Sequence, residues 1–410
     1  MKKFSYLLFA AVIGAFSVFS SCSDNDENEN NNNNDDSQKY LDYKYSELSE
    51  EKQKEKLQED AIDFLSEMED LKNNEALRIL NEFNALLEIN SPDQEFDNEF
   101  GSVEDIIRIK DLYGKHTWNA SKEAWSFEEF DKQTEFNFSV DGKPASIVIT
   151  GVASSLVQEF YERNEYIDNE IDGGWEYTDE LVTTVEIPKS ITIKILSGTS
   201  EVGAIHLSSD IKDKTTLPVK SEVSYSLGKY VMTTTVTKAS PSIAKSTFKK
   251  GDKVLIDANV DLSGNMDNLV NDKEPGQMTG NATIKIMNTL AFTGNWDVTN
   301  YIKACNKAED NYDNNYDQFG WEKAEEIWEK EYSEAFNKHT DLYLISLSDK
   351  AKIAKLQSTV KAEDYYGYTY WEEAFVLQFA DETVVEAEVF FSSGFDTFMN
   401  KLEKFITSFE

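Results

Sequence analysis

The chain has 410 residues, 77 of them acidic against 40 basic, with a formal charge of −37 at neutral pH. A field of that sign repels phosphate backbones and anionic lipid headgroups, which argues against nucleic acid as a partner. It favours cations or neutral ligands such as sugars, and 25 Phe, 19 Tyr and 7 Trp supply ample material for a packed core.

The first predicted element is an export signal. Met1-Lys2-Lys3 is basic, residues 4–19 are almost wholly apolar, and small Ser20 and Ser21 precede Cys22. That order is the pattern of a secretory signal peptide over residues 1–21. The apolar run falls short of the ~20 residues that span a bilayer, and acids rather than Lys or Arg follow it. Phe19-Ser20-Ser21-Cys22 resembles a bacterial lipobox, although Phe19 stands where Leu is usual. Ser23-Asp24-Asn25-Asp26-Glu27 resembles the acidic export signal of Bacteroidetes surface lipoproteins. The resemblance implies lipidation at Cys22 and an outer-membrane lipoprotein that faces outward, with the membrane as a partner through that anchor. The Asn/Asp/Glu-rich stretch has nothing apolar to bury, so residues 22–42 are expected to form a disordered tether. Ser23–Lys39 would span roughly 20–25 Å as a flexible chain. Setting aside the two lysines of 1–21 and the six acids of 23–36 leaves about −33 on residues 37–410, so the folded part is itself acidic.

Residues 43–112 read as helical. Leu57, Ala61, Phe64, Leu65, Met68 and Leu71 recur at three- and four-residue spacings behind an N-cap at Ser49. A second stripe, Leu77, Leu80, Phe83 and Leu87, stops before Ser91-Pro92. From about residue 113 to 297 the period becomes two. KHTWN, EAWSFEE, TEFNFSV and ASIVITG read as a four-stranded meander, with a hairpin turn at Asp141-Gly142. Strands follow at Ile191–Ile195, Val223–Leu227, Val254–Leu262 and Ile284–Phe292. Residues 298–410 return to helix, with a stripe of Trp321, Ala324, Trp328, Tyr332, Ala335 and Phe336. A hairpin is expected from Phe375 to Phe391, turning at Asp381-Glu382, and a closing helix from Phe395 to Phe409. The fold class is α+β: a large antiparallel meander with amphipathic helices on one face. YGKHTWNASKEAW (113–125), VEIPKSITIKIL (185–196) and FKKGDKVLIDANVDLSGN (248–265) resemble the middle regions of Bacteroidetes lipoproteins. That likeness implies a β-rich fold and supplies no activity.

Catalytic motifs are absent from the sequence: no GxSxG, no P-loop, no GxGxxG after a strand. Cys305 has no basic neighbour to lower its pKa, and His116, His206 and His339 stand far apart. Asp313, Asn315 and Asp317 take loop positions one, three and five of a calcium loop, but Gln318 and Ala324 replace its Gly and Glu, which leaves only a looser calcium site. Two aromatic, acidic loops are the ligand candidates. One is 166–180, with Asp172, Trp175 and Tyr177; the other is 363–373, with Tyr366, Tyr368, Tyr370 and Trp371. A flat ring beside a carboxylate matches a sugar, which has apolar ring faces edged by hydroxyls. The leading expectation is a non-enzymatic binding or structural module outside the cell, with a glycan or a partner protein as ligand. The alternatives are a lipid carrier with an apolar cavity between sheet and helices, and a hydrolase using two carboxylates of raised pKa in one cleft.

Overall fold

The computed structural model describes residues 36–89, 113–169, 174–212, 218–264, 276–365, 368–392 and 395–406. Cys22, Asp172 and Tyr366 lie outside the described residues. The chain opens with helices α1 (Asp36–Leu41), α2 (Glu50–Met68) and α3 (Glu75–Ile89). Strands follow: β1 (Gly114–Asn119), β2 (Ala124–Glu128), β3 (Thr134–Val140), β4 (Lys143–Asn169), β5 (Gly174–Ser197), β6 (Ser200–Ser209) and β7 (Lys220–Leu227). Next come β8 (Tyr230–Thr237), β9 (Ser242–Lys250), β10 (Lys253–Ser263), β11 (Thr279–Ile286) and β12 (Leu290–Trp296). Helices α4 (Val298–Phe319) and α5 (Trp321–His339) precede β13 (Thr340–Ser346), β14 (Ala351–Tyr365), β15 (Tyr368–Gln378) and β16 (Val384–Glu386). The last described elements are α6 (Ala387–Ser392) and α7 (Asp396–Ile406). The fold class is therefore α+β, as the change of period from helix to strand and back requires. Two compact units are distinguished: Asn73–Lys229, and Tyr230–Glu410 together with the chain through Lys72.

In the unit from Asn73 to Lys229, the strand order is β7-β6-β5-β4-β3-β1-β2. Neighbours are antiparallel except β1 and β3, which run parallel with His116 opposite Phe136. That pair corrects the expected meander: β1 and β2 do form a hairpin, but the chain then crosses back so that β3 joins the far side of β1. The Asp141-Gly142 turn forms as expected, with φ of 50° and 75° at its two central residues, the left-handed pair that suits a two-residue hairpin. Asn74 caps α3, its Oδ1 accepting from the amides of Ala76 at 2.9 Å and Leu77 at 3.2 Å. The helix then buries Ala76, Ile79, Phe83 and Leu86 against Phe136, Phe138, Ile147, Ile149, Ile191 and Ile195. The buried stripe is thus rotated one residue from the Leu77/Leu80/Leu87 reading, with Leu80 and Leu87 at its margin. Burying each large side chain fully contributes about 1.5–3 kcal/mol.

β3 covers β4 only from Lys143 to Ile149, and β6 covers β5 only from Ser190 to Ser197. Beyond those points β4 and β5 continue as a two-stranded ribbon, paired through Asn169 and Gly174 with several register shifts. At a rise of about 3.3 Å per residue this ribbon is roughly 60 Å long.

The other unit contains β8 to β16 in sequential antiparallel order. One core gathers Leu57 of α2 with Leu344, Ile353, Ala354, Leu377, Phe379, Phe390 and Phe395. Four expectations change here. The stretch expected as tether to residue 42 is helical from Asp36, because Tyr40 is buried with Ala291 and Ile345. Ser49 occupies the N-cap position of α2, but its hydroxyl makes no cap hydrogen bond. The hairpin expected to Phe391 keeps only three residues in β16; Ala387, Val389 and Phe391 belong to α6, which sends Phe390 into the core. Residues 313–319 are not a loop but the end of α4. Asp313 and Asp317 are therefore one helical turn apart, and Asn315 points roughly 200° away from Asp313. A calcium loop would bring these three side chains together, and a helix separates them.

Candidate functional site

The α4–α5 hairpin turns at Gly320, whose φ of 81° is a conformation glycine adopts without strain. Asp297 caps helix α4, its carboxylate accepting from the Asn300 amide at 3.1 Å. Helix α5 packs on the β14–β15 ribbon. Asn337 fixes it there: its Nδ2 donates to Ser358 O at 2.7 Å, and its Oδ1 accepts from the Ser358 amide at 2.8 Å. Phe336 and Phe375 add an edge contact with ring centroids 5.5 Å apart.

This arrangement carries one of the two aromatic segments. The expected loop 363–373 is instead the end of β14 and the start of β15, paired as far as Tyr365 opposite Tyr368. Strand alternation separates its residues. Tyr368, Tyr370 and Glu372 share one face, with Glu363 directly opposite Tyr370 and Lys361 opposite Glu372. Tyr368 is 53% exposed and Tyr370 41%. The Trp321 ring closes the group, its centroid 5.9 Å from Tyr368 and 5.5 Å from Tyr370. Trp371 is half-buried, with the Lys330 ammonium 5.2 Å from its ring centre. Two more rings lie exposed near the helical turn: Tyr316 and Phe319, each 50% exposed. Lys361 bridges Glu363 at 3.0 Å and Glu372 at 2.9 Å, which raises its pKa.

Sequence reasoning placed Trp321 in the core stripe and so missed it as a platform residue. The available signal was its position: the first residue after Gly320, it lies at the end of the helix rather than along the buried stripe. The chain matches no family model, no curated protein and no solved structure. The chemistry of the platform therefore rests on its own geometry.

The second segment, 166–180, is likewise not a loop. Its described residues are the far ends of β4 and β5, with Trp175 in register with Asp168 and Tyr177 with Tyr166.

The cysteine and two of the histidines that the sequence singled out have structural partners. Cys305 is buried, and burial pushes its thiol pKa up, so it stays protonated and a poor nucleophile. His116 is stacked against Phe136 at 4.9 Å, and His206 Nδ1 lies 3.0 Å from Thr192 Oγ1. No group of three or more His, Cys, Asp or Glu side chains suited to a metal ion occurs among the described residues. One cavity of about 380 Å³, in the unit from Asn73, opens between Asn74, Glu75, Glu201 and Ser226 and is polar. A second, in the other unit, is lined by Gln53, Lys56, Asp60 and Asp349 and measures about 10 Å³, room for a single water.

Glu329 on α5 has a raised pKa, first through burial and then through Glu373, Glu325 and Glu372. The carboxylate of Glu373 is already engaged, accepting from Ser358 Oγ at 2.6 Å. A carboxylate whose folded pKa exceeds its unfolded value of about 4.3 costs stability once it is ionised. The folded state binds the extra proton, so stability falls as pH rises through the folded pKa. Glu329→Gln is accordingly expected to raise the urea midpoint at pH 7 and to leave it nearly unchanged at about pH 4. A lower midpoint at pH 7 would show that the charged form is favourably paired.

Proposed function

We propose that this protein is an outer-membrane lipoprotein, anchored through Cys22, whose folded part binds glycan outside the cell without catalysing a reaction. The observation that carries the binding reading is the exposed ring pair Tyr368 and Tyr370, backed by Trp321 and bordered by Glu363 and Glu372. Stacking needs a flat apolar surface that is accessible, and carboxylates beside it accept from sugar hydroxyls. Burial in the core is the ordinary fate of aromatic residues, and these two depart from it. The lipobox resemblance and the acidic stretch after Cys22 support the location.

Binding is tested by migration of the full chain in native gels cast with a panel of polysaccharides. Retardation by at least one glycan, lost in Tyr368→Ala/Tyr370→Ala, is the expected result. A panel with no retardation removes the glycan reading. The anchor is tested separately. Cys22→Ser is expected to abolish incorporation of radiolabelled palmitate and to move the protein out of the membrane fraction. Unchanged labelling would place the lipid elsewhere or remove it.

A further inference from the structure

We propose that the platform prefers glycans carrying free amino groups, such as N-unsubstituted hexosamine polymers, over neutral ones, and rejects uronate- or sulfate-bearing ones; this inference rests on the glycan reading above. The border of the rings is acidic. Glu363 and Glu372 flank Tyr370 and share one lysine, Lys361, between them. Glu322 follows Trp321 on the first turn of α5. The lysines of α5 on this side, Lys323 and Lys330, share one carboxylate, Glu326, at 2.7 and 2.5 Å. Glu322, Glu326, Glu363 and Glu372 against Lys323, Lys330 and Lys361 leave the border net negative by one charge, in a chain whose formal charge is −37.

A polyanion meets repulsion at such a surface, whereas a sugar amine set between ring and carboxylate gains stacking and an ion pair together. A single exposed pair is weak. A polymer repeats the amine along its length, so contributions accumulate through effective concentration. The same charge would attract any polycation without specificity, so dependence on the rings separates recognition from adsorption.

The test compares a hexasaccharide of glucosamine with its fully N-acetylated counterpart and with a uronate hexasaccharide, each titrated into the full chain. The amine form is expected to bind about tenfold more tightly than the acetylated form at low salt. The uronate is expected not to bind. The preference should collapse in about 1 M salt, where screening acts within ~3 Å. It should also shrink in Glu322→Gln/Glu363→Gln, which leaves the rings intact. Equal affinity for amine and acetylated forms, with both lost in Tyr368→Ala/Tyr370→Ala, would overturn the charge preference and leave the glycan reading standing. Amine binding that persists in the ring variant would overturn the proposal as adsorption to an acidic protein. No binding by any of the three would overturn the amine preference, and the polysaccharide panel then decides the glycan reading separately.

Discussion

Replacing Phe136 by Ala is expected to remove about 3–5 kcal/mol from the stability of the unit from Asn73 to Lys229. Phe136 is 1% exposed and sits where the sheet meets α3. Its ring lies 4.9 Å from Phe83, 4.9 Å from His116 and 5.6 Å from Trp125. Its backbone pairs with β1 on one side and with Ile147 of β4 on the other. Truncation therefore removes transfer energy and opens a cavity that two paired strands prevent from collapsing. Urea denaturation measures the loss. Ile89→Ala, at a helix end and 59% exposed, is the control and should shift stability by less than about 0.5 kcal/mol. A Phe136→Ala loss below about 1 kcal/mol would contradict this account of the core.

Gly294→Ala is expected to cost the other unit about 3 kcal/mol through overpacking. Gly294 lies in β12, between Ala282 of β11 and Leu342 of β13. A Cβ there would penetrate the Asp341 carbonyl oxygen and approach Leu342 Cδ2 to 2.7 Å. Because the first obstacle is backbone in a paired strand, no side-chain rotation relieves it, and the ladder itself must move. Gly276→Ala meets nothing within 4 Å and should be nearly neutral. Similar urea midpoints for Gly294→Ala and Gly276→Ala would show that β12 and β13 can separate without penalty.

Much of this architecture was legible because the driving patterns are local. Period-two burial of Phe136, Phe138 and Val140 marks β3, and the Asp141-Gly142 turn fixes the register of β3 with β4. What escaped depends on tertiary context. The parallel β1–β3 pair is decided by which sheet edge is free when β3 arrives, and no short-range pattern records that. Val389 and Phe391 satisfy a strand pattern as well as a helical turn; burial of Phe390 between them selects the helix. The Asn- and Asp-rich end of α4 has low helix propensity, but it continues from a capped helix with Cys305 and Ala308 buried, and ends only at Gly320. Of the candidate site, the aromatic density of 368–371 was visible. Which rings face outward was not, because it depends on the pairing of β14 with β15 and on where α5 lies.

The outward face of Tyr370 gives the most direct test of the glycan platform. Calorimetric titration of the full chain with a gel-retarding oligosaccharide would compare Tyr370→Ala with Trp371→Phe. These positions adjoin in sequence but differ in the structure: Tyr370 is exposed beside Trp321, whereas Trp371 lies beneath Lys330. The account predicts that Tyr370→Ala weakens binding about tenfold or more while Trp371→Phe leaves it within about twofold. Equal losses at both positions, or a loss at Trp371 alone, would contradict the assignment of the Tyr368/Tyr370/Trp321 face as the binding surface.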